Sequence, residues 1–317
     1  MRVDLTELID PGLEPLVAPT RAFYARRTAG RGPADLAELR RARAAAPVPV
    51  VVDPPPEVVT VGTDGHRVPV RIHRPRSAPP AGVLLEIHGG GFFLGSAAAS
   101  DRAARRLVDT LGVAVVSVDY RLAPEHPWPA APDDVEAAAL WLAEHAAARF
   151  GTSRLAITGF SAGATLAMTT LVRLRDRGVD AVDGAVLQFG TWDLATATPA
   201  GRLIADEYFL PAYAGDAVDR TDPDLSPLFA DLRGLPPVLM IVGADDVLLE
   251  DNLAMAARLS AAGVAVDLRV YPAAPHGFTG HATPMAQAAL GQIDAWLGER
   301  VGVPGPVRGV TKSTPPE

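Results

Sequence analysis

The sequence predicts an α/β fold with a mostly parallel central sheet and helices on both faces. Two observations carry that expectation. Apolar strand-like runs at residues 83–87, 113–118, 154–158, 184–189, 237–242 and 265–271 alternate with helix-like segments at 100–111, 133–149, 162–176, 251–262 and 284–298. The chain has 317 residues, 48% of them hydrophobic, which suits one large domain with a small lid and is ample to bury a core.

Residues 1–50 precede the first strand, so they lie outside the sheet. Arg21 to Arg26 is a short helical candidate, and Asp35 to Ala46 is a second, stopped by Pro47. This segment is either an arm packed on the surface or a cap over the site, with Phe23 or Tyr24 facing whatever binds there. Pro54-Pro55-Pro56 is a stiff break. Glu57–Val61 and Arg67–His73 follow as strand-like runs joined at Asp64-Gly65, a hairpin signal that adds antiparallel strands at one edge. The regular alternation begins beyond Pro79-Pro80. It is broken only by residues 194–230, a candidate insertion after a strand and a possible second contributor to a cap. No internal repeat is visible. The organisation expected is a cap segment at 1–50, a main domain at 51–300 and a disordered tail at 301–317, where Pro, Gly and Ser recur.

Composition narrows the function. There is no cysteine, so disulfides and thiolate metal sites are excluded, and no metal is expected. A net charge of −8 disfavours nucleic acid and anionic membranes as partners. Acidic residues occupy the N-terminal stretch where a signal peptide carries its apolar core, and no apolar run reaches membrane-spanning length. A cytoplasmic protein is the expectation.

The chemistry is organised around Gly159-Phe160-Ser161-Ala162-Gly163. An apolar strand-like run precedes it and an apolar helix-like run follows, the context of a nucleophile elbow. The glycines leave room for the sharp turn, and the helix that starts there points N–H groups and a positive dipole end at the reacting centre. A serine hydroxyl needs a base to take its proton. His276, in the loop after the last strand, follows in the order serine, acid, histidine; His281 competes but lies close to the next helix. The base needs a carboxylate. Either aspartate of Gly243-Ala244-Asp245-Asp246-Val247-Leu248 meets that need; the reading takes Asp246, followed by an apolar pair that anchors the loop, and leaves Asp245 solvated or capping. His88-Gly89-Gly90-Gly91-Phe92 comes straight after a strand. Its glycines let main-chain N–H groups approach a developing oxyanion, so Gly89, Gly90 and Ala162 are the expected oxyanion hole. His88 anchors that loop. The glycine spacing does not fit a dinucleotide or phosphate loop.

His88-Gly-Gly-Gly-Phe92, Asp119-Tyr-Arg-Leu-Ala-Pro-Glu-His-Pro127 and Gly159-x-Ser-Ala-Gly163 together resemble the bacterial hormone-sensitive-lipase-like esterases of the α/β-hydrolase fold. The resemblance spans about residues 55–298. It implies a Ser161, Asp246, His276 triad, the same oxyanion hole, an N-terminal cap and hydrolysis of short-chain acyl esters without a cofactor. Phe92, Phe160, Phe23 and Tyr24 are the candidate substrate contacts, and Arg121 and Glu125 are expected to pair beneath the site. Two positions depart from the pattern: the usual elbow reads Gly-Asp-Ser-Ala-Gly-Gly, whereas this chain has Phe160 and Ala164. A non-catalytic binder on the same scaffold is the competing reading, against which His276 speaks; amide hydrolysis and acyl transfer share the chemistry. Residues 264–270 alternate apolar and polar as a half-buried strand does, and as the last strand it is expected at a sheet edge where two copies can pair.

Overall fold

The computed structural model describes residues 5–27, 31–63 and 65–302. Among these residues eight strands form one sheet: β1 (Glu57–Thr63), β2 (His66–His73), β3 (Val83–Ile87), β4 (Ala114–Val118), β5 (Leu155–Phe160), β6 (Gly184–Gln188), β7 (Val238–Gly243) and β8 (Val266–Tyr271). Their order is β1-β2-β4-β3-β5-β6-β7-β8. The β1–β2 and β2–β4 pairs are antiparallel and all others are parallel. The hairpin therefore occupies one edge and β8 the other, as expected. Asp64 of its turn lies outside the described residues.

Among the described residues eight α-helices accompany the sheet: α1 (Glu14–Tyr24), α2 (Leu36–Ala44), α3 (Asp101–Leu111), α4 (Ala130–Phe150), α5 (Ala162–Asp176), α6 (Phe209–Ala214), α7 (Leu249–Ala261) and α8 (Pro284–Val301). Two cores sit on opposite faces. Leu85 and Ile87 of β3 pack with Leu142 of α4, Leu166 of α5 and Met255 of α7. Leu84, pointing the other way, joins Val108 of α3, Ile293 of α8 and Val17 of α1. Burial on both faces explains why the central strands are mostly apolar, with Glu86, Ser117 and Thr158 as buried polar exceptions.

Three expectations are corrected. Helix α1 begins at Glu14, seven residues before the candidate at Arg21, despite Pro15 and Pro19. Pro15 costs nothing in a first turn, where N–H groups have no partner; Pro19 is tolerated because Leu13 and Val17 anchor this segment in the α3/α8 core. Val301 is the last residue of α8 rather than the start of a tail; residues 303–317 lie outside the described residues. Arg121 and Glu125 do not pair. Arg121 binds Asp134 of α4 at 2.9 Å, while Glu125 meets Arg43 of α2 at 2.8 Å. The buried Asp134 offers Arg121 a carboxylate that also accepts its main-chain N–H, a better partner than an exposed glutamate. No helix among the described residues is long and apolar enough to cross a membrane.

Candidate active site

Ser161 stands at the turn from β5 into α5, with φ 54° and ψ −120°. A non-glycine residue held there carries strain of about 1–3 kcal/mol. The surrounding hydrogen bonds hold it: Ser161 N–H donates to the Gln188 carbonyl at 2.9 Å, and the Ser161 carbonyl accepts from Ala164 N–H at 2.8 Å. A methyl group on Gly163 would lie 2.6 Å from the His88 carbonyl oxygen, and one on Gly159 would collide with the Gly163 main chain. The elbow closes only because both positions lack a side chain.

His276 lies on the loop that leaves β8. Its Nε2 is 2.9 Å from Ser161 Oγ. Its Nδ1 is 3.0 and 3.2 Å from the two carboxylate oxygens of Asp246. A carboxylate only accepts, so Nδ1 carries the proton and Nε2 is left to accept from the serine hydroxyl. The Asp246 side chain is fully shielded while that of His276 is 37% exposed, which leaves the base reachable and its acid dry. The acid is further fixed by Leu248 N–H, which donates to Asp246 Oδ1 at 2.9 Å. Asp245 is exposed, and its N–H donates to the Ala274 carbonyl at 3.1 Å, tying the two loops together.

The glycine-rich loop follows β3. His88 is buried, stacks on Tyr120 at 4.2 Å and places its Nδ1 2.8 Å from the Gly89 carbonyl. Burial pushes its pKa down, so it is neutral and its Nδ1 donates. Tyr120 O–H donates to the His88 carbonyl at 3.0 Å. The loop is thereby anchored from beneath, the part expected of His88. Gly90 has φ 122°, and a side chain there would collide with Leu94. As the first residue of α5, Ala162 has an N–H with no carbonyl one turn back. Gly89 and Gly90 are half-buried beside the elbow, with Phe160 packed against Gly89.

The four aromatic candidates divide. Phe92 is 1% exposed and stacks on Tyr213 at 3.8 Å. It belongs to the core and not to a substrate surface, and its backbone has a φ of 63°. Tyr24 donates its hydroxyl to, or accepts from, His281 Nδ1 at 2.8 Å, and Phe23 lies beside the same imidazole at 5.9 Å. The end of α1 therefore reaches the loop that carries His276. Phe160 is half-buried and sits edge-on to Phe189 at 4.7 Å. Ala164 is fully buried inside α5.

Sequence reasoning missed Gln188, Thr279, Phe189 and the residues of the 194–230 insertion that touch the glycine loop. Thr279 donates its hydroxyl to Gln188 Oε1 at 2.8 Å. Phe209 of α6 and Tyr208 before it pack on Phe92 and Phe93. A glutamine ending an otherwise apolar strand was the available signal for Gln188. Among the described residues no group of three or more His, Cys, Asp or Glu side chains is placed to hold a metal ion.

A nucleophile, an acid and a histidine in that chain order, at the C-terminal ends of a sheet with this topology, are the layout of the α/β-hydrolases. The chain belongs to that family: the model of the α/β-hydrolase fold matches residues 84–280. Its motif resemblance to the hormone-sensitive-lipase-like group holds. Over 228 residues it is 37% identical to the carboxylic ester hydrolase LipN of Mycobacterium tuberculosis, covering 67% of this chain and 61% of that one. Over 230 residues it is 36% identical to an ethyl acetate hydrolase of Pseudomonas putida, covering 68% and 72%. Among solved structures it is similar to an esterase of Pyrobaculum calidifontis, with a TM-score of 0.75, 30% identity and 92% and 98% coverage.

Proposed function

We propose that this protein is a serine carboxylesterase that hydrolyses short-chain acyl esters through an acyl-enzyme intermediate. The observation that carries the reading is the unbroken hydrogen-bonded series Ser161, His276, Asp246. Ser161 Oγ attacks the ester carbonyl carbon as His276 Nε2 takes its proton. Asp246 stabilises the imidazolium so formed. Negative charge develops on the former carbonyl oxygen, which accepts from the N–H groups of Gly89, Gly90 and Ala162. Collapse breaks the bond to the alcohol oxygen, and His276 returns the proton to that leaving group. Water then attacks the acyl carbon, again giving its proton to His276, and the acid departs as Ser161 is regenerated. The balance is one ester and one water to one acid and one alcohol.

Support for small acyl groups comes from the ethyl acetate hydrolase relative and from the aromatic residues of α6 packed over the glycine loop. In this reading residues 1–50 serve as the cap. Helix α1 docks on His281, and α2 is tied to the loops beneath the site by Arg43, which donates to the carbonyls of Phe93 and Ala123. Assay with p-nitrophenyl esters of graded acyl length tests the proposal. Highest kcat/KM for two- to four-carbon acyl groups, about tenfold or more above long chains, is expected; no hydrolysis of any ester overturns it.

The same reading includes a homodimer paired along β8. That strand has one neighbour in the sheet, β7, and carries the Asp267–Arg269 ion pair on its partly exposed face.

A further inference from the structure

We propose that Phe160 is a positioning residue for His276, replacing with aromatic packing the carboxylate that the related elbows carry beside their serine. Its ring lies in a cradle made by glycines of two loops. A methyl group added to Gly89 would come 2.7 Å from Phe160 Cδ1, one on Gly277 3.6 Å from Cζ and one on Gly280 3.8 Å from Cζ. Gly89 belongs to the candidate oxyanion loop, whereas Gly277 and Gly280 follow His276. The ring thus fills the gap between the elements that must hold base and oxyanion donors in register.

The contact continues to the imidazole. Phe160 meets Phe189 edge-to-face, at 4.7 Å and 88°. Phe189, fully buried, in turn meets the His276 ring at 5.1 Å and 70°. Phe189 is held at φ 41°, a conformation a bulky residue adopts only under constraint. Offset and edge-on rings are the favourable aromatic geometries. The glycines around Phe160 leave room for its ring, and Phe189 gives it an aromatic neighbour.

The inference rests on the esterase reading, and its test separates the two. Turnover and the rate of Ser161 labelling by a fluorophosphonate are measured for wild type, Phe160→Tyr, Phe160→Leu and Phe160→Ala, each checked by circular dichroism. Misplacement of a catalytic group by a fraction of an ångström to 1 Å lowers kcat by about 10- to 100-fold. Phe160→Ala is expected to lose that much in kcat with KM within about twofold, and labelling slows in parallel. Phe160→Leu falls between, and Phe160→Tyr, which keeps the ring, stays near wild type. A raised KM with kcat and labelling unchanged makes Phe160 a substrate contact and overturns the proposal. So does unchanged kcat in Phe160→Ala, or in Phe160→Leu where the alanine variant does not fold. Wild type that is labelled but turns over no ester defeats the esterase reading, while the labelling series still decides this one.

Discussion

The carbonyl of Gln188, the last residue of β6, accepts the N–H of Ser161 at 2.9 Å. The same residue's side chain accepts the Thr279 hydroxyl at 2.8 Å, three residues beyond His276. One residue at a strand end thereby fixes the serine's backbone and tethers the loop of the base. Thr279→Val removes the second bond, keeps the shape and leaves the Gln188 side-chain oxygen Oε1 without its donor. A stability loss of about 1–3 kcal/mol is expected by thermal or urea unfolding. The variant is also expected to lose several-fold in kcat with little change in KM, because the backbone bond to Ser161 survives.

Asp246 and Asp245 are adjacent in sequence and opposite in environment: one side chain is shielded against His276, the other is exposed. Asp246→Asn keeps the geometry but reverses the hydrogen-bond requirement at Nδ1, and is expected to lower kcat about 10⁴-fold. Asp245→Asn is expected to stay within about twofold of wild type, since its loop bond to Ala274 is made by the main chain. Steady-state kinetics on the two variants decides the assignment; the opposite pattern reverses it.

Asp251 lies in the first turn of α7, buried, with Trp192 N–H donating to its Oδ2 at 2.6 Å. Burial, aided by the nearby Asp193 carboxylate, pushes its pKa up to about 7. Between the ordinary carboxylate range and about 7 the folded protein holds a proton that the unfolded chain has released. Stability from this group is therefore full at low pH and is lost as pH rises through about 7. Asp251→Asn keeps an acceptor for Trp192 and cannot titrate. Its unfolding free energy relative to wild type is expected to rise between pH 5 and pH 8, measured by urea titration at each pH. A difference independent of pH contradicts the assignment.

An edge strand with unpaired main-chain groups is a template for a second copy. Light scattering at micromolar concentration is expected to give twice the monomer mass of 33.1 kDa. Val266→Pro removes one N–H at the start of β8 and is expected to shift the mass toward monomer with catalysis retained, since Ser161, His276 and Asp246 come from one chain. A monomer mass for wild type at that concentration rules the dimer out.

Much of this was readable in the chain, for physical reasons. Doubly buried strands are mostly apolar, so β3 to β7 stand out. The glycines of the elbow and of the loop after β3 mark places where backbone meets backbone. Asp246 and His276 stood out as candidates because loops at the C-terminal ends of parallel strands converge. What was not readable depends on the far side of a contact. Phe92 looked like a residue facing the site, but Tyr213, more than a hundred residues on, draws it into the core. Arg121 and Glu125 sit four apart, yet each finds its partner on a helix elsewhere, Asp134 or Arg43. Helix α1 was hidden by Pro15 and Pro19, whose cost is met by tertiary packing that local propensity does not contain. The Phe160, Phe189 and His276 rings come from three separate segments, so only the folded chain brings them into line.

The central claim is that Ser161, activated by His276, forms the covalent intermediate. Incubation with a fluorophosphonate followed by peptide mass spectrometry tests it most directly. The account predicts one adduct per chain, on Ser161, with activity lost in proportion and both abolished in Ser161→Ala. Labelling on another residue, or full esterase activity in Ser161→Ala, would contradict it.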